Sequence, residues 1–206
     1  MVSRESMKRL PIGIQTFAKL RDLSENYVYV DKTGVLLRLV EGGEYFFLSR
    51  PRRFGKSVML STLYELFRGN RELFRGLAIE GNWDWNKKHP VIRISFGSGD
   101  FSSEAAFRQQ ITRTLHDNQE RLDIQCTTDQ ADYVTCFHDL IKKSFQKYTC
   151  KVVILIDEYD KPILDHITDR ETAQVNRDRL KGFYSIIKDM DEYIRFVMIT
   201  GVSKFS

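Results

Sequence analysis

The amino-acid sequence predicts an α/β protein, a three-layer α/β/α arrangement around a mostly parallel sheet. Two observations predict it. Four short runs are rich in β-branched and aromatic residues, at positions 45–49, 91–96, 151–157 and 194–200. Between them lie segments whose apolar residues recur at helical spacing. Strands that alternate with helices pair in parallel, because each helix carries the chain back to start the next strand alongside.

The elements follow in order. Tyr-Phe-Phe-Leu-Ser at 45–49 is the first strand. Residues 57–68 place Val58, Leu60, Leu63, Leu66 and Phe67 at spacings of a helix, with Gly69 as its stop. Residues 69–90, with Trp83 and Trp85, read as irregular. The second strand carries Arg93 and the fourth Arg195, so each lies near an edge or begins in solvent. Phe107, Ile111 and Leu115 form one helical stripe behind Ser102 and Ser103, either of which can cap it. Phe137, Leu140, Ile141, Phe145 and Tyr148 form another, and Leu180, Phe183, Ile187 and Met190 a third. The strand at 151–157 is almost continuously apolar, as a strand buried on both faces should be.

Composition narrows the function classes. The 206 residues suffice for one large domain or two small ones. With 42% hydrophobic and 29% charged residues, the chain is ordinary globular material, which excludes fibrous and disordered readings. No apolar run reaches the ~18 residues of a membrane span. The first ten residues lack the apolar stretch of a signal peptide. A formal charge of +4 is too mild to argue for nucleic acid. Three cysteines, Cys126, Cys136 and Cys150, lack metal-ligand spacing, and a reduced, cytoplasmic setting suits them. The four histidines are scattered, so a zinc site is not expected.

Chemistry concentrates in two places. The first strand runs into Ser49-Arg50-Pro51-Arg52-Arg53-Phe54-Gly55-Lys56-Ser57, and a helix follows. This fits the phosphate-loop pattern G-x-x-x-x-G-K-[ST], except that Arg50 stands at the first glycine. Backbone N–H groups at such a helix start carry partial positive charge and cradle phosphate oxygens. Lys56 adds a point charge for the β- and γ-phosphates, and Ser57 places a hydroxyl on Mg²⁺. The expected nucleotide-binding stretch is Arg52, Arg53, Phe54, Gly55, Lys56, Ser57 and Val58. Arg52 and Arg53 have a second reading as a solvated basic rim.

The second place is the end of the third strand, Ile154-Leu155-Ile156-Asp157-Glu158. Ligands of open α/β sheets bind at the C-terminal strand edge. There Asp157 would hold Mg²⁺ and Glu158 would polarise the attacking water. One whole strand lies between the two motifs, which marks the additional-strand type of P-loop NTPase with sheet order 5-1-4-3-2. The fourth strand then sits between the motif strands. Thr200, at its end, is either a sensor of the γ-phosphate or part of an exit turn, and Ser203 is a weaker candidate. The expected catalytic residues are Glu158, Lys56 and Thr200, and the metal ligands Ser57 and Asp157. Asp160 reads as a supporting residue and Asp165 as exposed. Trp83 and Trp85 read as packing residues rather than base-stacking ones.

The segments Leu10-Pro11-Ile12-Gly13-Ile14, Tyr27-Val28-Tyr29-Val30-Asp31-Lys32-Thr33, Arg50 to Ser57, Ile156-Asp157-Glu158-Tyr159-Asp160-Lys161-Pro162 and Ile199-Thr200-Gly201-Val202 together resemble the bacterial AAA-ATPase-like domain family. The resemblance runs from about Leu10 to Ser206. It implies ATP and Mg²⁺ as ligands and makes an arginine at position 50 ordinary. It also implies that the 29–33 segment lies near the nucleotide, although Asp31 reads equally as the cap of a helix over 33–40. Family members typically continue into a domain resembling a PD-(D/E)xK nuclease, which nothing here matches.

The expectation is an ATP-binding domain with weak Mg-dependent ATPase activity, coupling nucleotide state to a missing C-terminal domain. The alternatives are a nucleotide switch or interaction module without significant hydrolysis, and an inactive truncated fragment. Residues 1–9 read as a tail and 10–206 as the domain, truncated after its fourth strand. Strand 5 is therefore expected to be missing, leaving an exposed apolar edge beside 45–49 that favours self-association. No membrane partner is expected, and nucleic acid only through the missing domain.

Overall fold

A computed structural model describes residues 7–127 and 132–204. Two compact units emerge, Met1–Gly42 with Ser57–Lys88, and Gly43–Lys56 with His89–Ser206.

The second unit holds the sheet. Its strands are β1 (Tyr45–Ser49), β2 (Val91–Ser95), β3 (Val152–Asp157) and β4 (Ile194–Gly201). Their order is β1-β4-β3-β2, and every pairing is parallel. Among the described residues this is the additional-strand order without a fifth strand, as the sequence implied. The register aligns Leu48 with Thr200, Ile156 with Ile199, and Ser95 with Asp157. Ser49, Thr200 and Asp157 therefore leave the sheet at one edge. The strands fall within a residue of the expected runs. Arg93 does sit on an edge strand, whereas Arg195 opens the interior strand β4 and is half-buried.

Among the described residues this unit carries the α-helices α4 (Glu104–Leu122), α5 (Tyr133–Tyr148), α6 (Lys161–Leu164) and α7 (Arg170–Asp189). Ile92, Ile94, Ile154, Ile156 and Val197 from one sheet face share a core with Phe107, Phe137 and Phe183 from the helices. Phe137 and Phe183 stack at 4.4 Å. Val153, Leu155, Phe196 and Met198, on the other face, are also buried. Burial on both faces is what lets β3 be apolar throughout. The three long helices are capped by side chains: Ser103 accepts from Ala106 N, Asp132 from Thr135 N and Asp169 from Thr172 N. Of the two serine candidates for α4, Ser103 takes the cap.

The outer edge of β2 is closed by a side chain. Asn118, fully buried on α4, accepts from Arg93 N at 2.8 Å and donates to Arg93 O at 2.7 Å. Its amide thus offers the edge strand the same donor and acceptor a neighbouring strand would. At the opposite edge, no strand among the described residues pairs with the outer side of β1. Tyr45 and Phe47 are exposed there, beside a cavity of about 500 Å³ lined by Tyr184, Ile187 and Ile199.

The cysteines depart from the reduced state read from the sequence. Cys126 and Cys136 form a disulfide, Cα atoms 5.2 Å apart, linking the end of α4 to α5. Cys150 is half-buried at the approach to β3. The pairing brackets residues 128–131, which lie outside the described residues, and nothing in the spacing of the cysteines announces it.

In the first unit, α1 (Phe17–Leu20), α2 (Thr33–Gly42) and most of α3 (Lys56–Phe67) surround an aromatic core. Phe17 lies 4.8 Å from Phe74 and 5.5 Å from Tyr29. Trp83 packs edge-on to Phe67, and Trp85 lies against Phe74 while donating to Glu80 O. The tryptophans are packing residues. Asp31 accepts from Thr33 N and Thr33 Oγ1, and also from Ala78 N at 2.7 Å. Its carboxylate therefore holds the α2 entry to the 75–80 turn, which favours the capping reading. Of the tail read at 1–9, residues 1–6 lie outside the described residues, and Arg9 bridges to Tyr27.

Candidate functional site

The phosphate loop begins where β1 stops. Residues 50–55 are exposed, and α3 starts at Lys56. Two loop residues have left-handed backbone, Arg53 at φ +69° and Gly55 at φ +76°. Alternation of left- and right-handed residues turns successive N–H groups inward, the concavity that receives phosphate oxygens. A Cβ on Gly55 would meet nothing within 4 Å, so glycine serves conformation there rather than space. Arg50, at the position of the pattern's first glycine, is not among the left-handed residues. The loop needs no glycine at that point. Arg53 carries the strain instead, worth ~1–2 kcal/mol for an L-residue in this region.

Lys56 is buried, and its Nζ donates to Arg50 O at 2.7 Å and Pro51 O at 3.0 Å. The ammonium thus closes on the carbonyls of its own loop and stays within that loop's curl. Arg52, Arg53 and Phe54 project from the exposed part, and Phe54 is 68% exposed. Ser57 and Val58 are the next residues of α3 and count with the first unit.

At the end of β3, Asp157 Oδ1 accepts from Thr200 Oγ1 at 2.5 Å and from Glu158 N at 3.0 Å. The fold therefore brings two expected site residues together across neighbouring strands. Thr200 is fully buried and addresses Asp157 directly. Both bonds fall on one carboxylate oxygen, and among the described residues none is given to Oδ2. Glu158 has left-handed backbone, φ +51°. Its carboxylate lies over Gly97, where a Cβ would come within 3.1 Å of Oε2 and 3.3 Å of Ser95 Oγ. The side chain thus leans toward the exit of β2, whereas the phosphate loop follows β1.

The exit turn of β4 joins the two motifs. Gly201 O accepts from Arg50 N and Val202 O from Ser49 Oγ, so the root of the phosphate loop is bonded to it. From the other side, Asp160 Oδ2 accepts from Val202 N and Ser203 N, and Tyr159 Oη donates to Ser203 O. Sequence reading gave Ser49 and Tyr159 no part here and Asp160 only a supporting one. The available signal was the second aspartate of Asp157-Glu158-Tyr159-Asp160. Ser203 enters through its backbone. Asp165 is exposed and pairs with Lys161.

A strand–loop–helix with a buried lysine, and an aspartate ending the strand one beyond the next in the sheet, is the P-loop arrangement. Residues 11–206 match the family described as Predicted AAA-ATPase. The chain belongs to this family. The AAA-ATPase-like chain is also 52% identical over 201 residues to "Uncharacterized protein in vnfD 5'region" of Azotobacter chroococcum mcd 1. That alignment covers 98% of this chain and 38% of the relative, so the chain spans well under half of the relative's length. No solved structure matches it. Membership in the family supports a nucleotide-binding P-loop. No helix among the described residues is long and apolar enough to cross a membrane.

Proposed function

We propose that this AAA-ATPase-like domain binds ATP with Mg²⁺ and hydrolyses it slowly, passing nucleotide state to a further domain of a longer protein. The observation that carries this reading is the common sheet edge: the phosphate loop, Thr200 and Asp157–Glu158 all leave the strands there. The amides of residues 52–56 would hold the phosphates, with Lys56 turning from its loop carbonyls to the β- and γ-oxygens. Arg52, Arg53 and Phe54 would border the same loop, and Val58 would follow it in the helix. Asp157 fits a cation, because Thr200 and the Glu158 amide fix Oδ1 and no bond among the described residues is given to Oδ2. Ser57 would supply the second oxygen ligand. The cation would neutralise charge on the phosphates. Glu158 would take a proton from water as general base, and Thr200 would keep Asp157 oriented.

One observation favours a second reading, a nucleotide switch without significant turnover. Glu158 leans toward β2, away from the phosphate loop, and hydrolysis requires it to swing back.

Thermal stabilisation by ATP·Mg²⁺ and by GTP·Mg²⁺ tests the proposal. A nucleotide at ~100 times its Kd should add ~2.7 kcal/mol. Lys56→Ala should abolish the shift, and Glu158→Gln should keep it while ending turnover. Absence of any shift in the wild type sinks the nucleotide reading. Turnover that survives Glu158→Gln removes the general-base assignment, and a shift without turnover selects the switch.

A further inference from the structure

We propose that Asp160 is a positioning residue for the phosphate loop, acting through the β4 exit turn Gly201–Ser203. The proposal rests on the nucleotide reading above only in what the positioned loop is for.

Asp160 is 1% exposed. A carboxylate removed from water is costly unless its oxygens are satisfied. Here the partners among the described residues are backbone amides: Oδ2 takes Val202 N at 2.7 Å and Ser203 N at 2.6 Å. Charge-assisted bonds of this kind are about twice as strong as neutral ones. Two successive amides converging on one oxygen fix the turn's curvature as well as its place.

Two residues of this turn, Gly201 and Val202, anchor the root of the phosphate loop. Gly201 O receives Arg50 N at 3.1 Å, and Val202 O receives Ser49 Oγ at 2.7 Å. Val202 is therefore held by Asp160 through its N–H and holds Ser49 through its C=O. Arg50 in turn offers its carbonyl to Lys56 Nζ. A continuous series of bonds runs from the Asp160 carboxylate, through the turn, to the lysine. Tyr159 closes the turn from the same side, with its N–H on Thr200 O and its hydroxyl on Ser203 O, 2.9 Å away. The segment 157–160 thus holds β4 and its exit turn along its length: Asp157 and the Tyr159 amide on Thr200, the Tyr159 hydroxyl and Asp160 on the turn that places the loop opposite. Any displacement of the turn moves both motifs.

Amide hydrogen exchange on the full chain tests this without nucleotide. Asp160→Ala should raise exchange at Val202 and Ser203 and, with them, across residues 50–56, while β2 and α4 keep wild-type protection. Asp160→Asn, whose amide oxygen can occupy the place of Oδ2, should restore most of the protection. Tyr159→Phe, which removes the hydroxyl bond to Ser203 and keeps the ring, covers the case in which Asp160→Ala fails to fold and should loosen the turn and the loop in the same order. Faster exchange at the turn with an unchanged phosphate loop overturns the proposal, as does uniform loosening of the whole unit in every variant. With ATP·Mg²⁺ as probe, Asp160→Ala should weaken binding about tenfold and Asp160→Asn much less; equal affinity in all three proteins overturns the positioning role. Failure of the wild type to bind ATP would remove the nucleotide reading, and the exchange measurement would still decide the coupling.

Discussion

Substituting Gly201 by alanine should destabilise the sheet unit, chiefly through its clash with the Tyr159 ring. A Cβ at Gly201 would lie 2.6 Å from both Cδ1 and Cε1 of Tyr159 and 2.9 Å from Asp160 Oδ1. Ordinary carbon contacts lie at about 3.5–4.0 Å, so a gap of about 1 Å must open. The Tyr159 ring has little freedom to open it. Its hydroxyl is held by Ser203 O, and the ring meets Phe47 edge-on at 5.2 Å. Gly201 is not left-handed, so the backbone itself accepts alanine and the cost is steric. Overpacking of a fixed site costs ~1–3 kcal/mol, and a held ring together with a buried carboxylate places this one near ~2–3 kcal/mol. At roughly 2–4 °C per kcal/mol for a chain of this size, the melting temperature should fall by about 5–10 °C. Urea unfolding of Gly201→Ala, Tyr159→Ala and the double variant gives the decisive measurement. If the clash is with the ring, deleting the ring relieves it, and the double variant should be more stable than the sum of the two by at least ~1 kcal/mol. Additivity within ~0.5 kcal/mol would show that the two residues do not oppose one another, and the reasoning would fail.

Three further outcomes are expected. Asn118→Ala should cost about 2–3 kcal/mol in chemical unfolding, because it strips the Arg93 N–H and C=O of a buried partner, and exchange at the Arg93 amide should quicken while β4 stays protected. Reduction of the Cys126–Cys136 disulfide should lower stability by about 2–3 kcal/mol, from the entropy of a loop with sequence separation 10; equal melting curves with and without reductant would contradict this. Asp31 should contribute to acid lability. Burial pushes its carboxyl up, but the Ala78 and Thr33 amides, the Thr33 hydroxyl and the Arg21 charge together hold it below the usual range. Its stabilisation is therefore complete above the unfolded value near ~3.9 and fades as pH falls from there toward the folded value. Asp31→Asn should flatten the acid limb of a stability–pH curve, and an unchanged limb would refute the assignment.

Much of the fold was legible because its signals are local. The run Val152–Asp157 reveals a doubly buried strand by composition alone, and the spacing of Phe107, Ile111 and Leu115 reveals a helix. The strand order followed from one inserted strand between the two motifs. The candidate site was legible where a motif is contiguous, as in Gly55-Lys56-Ser57 and Asp157-Glu158. What escaped depends on partners distant in sequence or on backbone conformation. Asn118 reads as one more polar residue on an amphipathic helix until Arg93 is placed against it. Arg53 reads as a basic residue, and nothing in its identity shows that the loop bends left-handed at that point rather than at Arg50. Asp160 reads only as a supporting acid because its amide partners lie at the exit of a different strand, about forty residues further on. The disulfide escaped because spacing alone does not distinguish a pair from two thiols.

Asn118 also gives the sheet a direction of growth. A side chain that imitates a strand fills the hydrogen-bonding positions of Arg93, at the middle of β2, but offers no further backbone of its own, so addition on that side meets a side chain rather than a strand. β1 has no such stop among the described residues, and its free side borders the cavity near Tyr184 and Ile187. Strands fused to this domain by design therefore have one productive site of attachment. A segment of alternating apolar and polar residues led alongside β1 extends the sheet and fills the cavity, while the same segment led toward β2 must first displace a buried amide. The domain is a template with a closed end and a growing end.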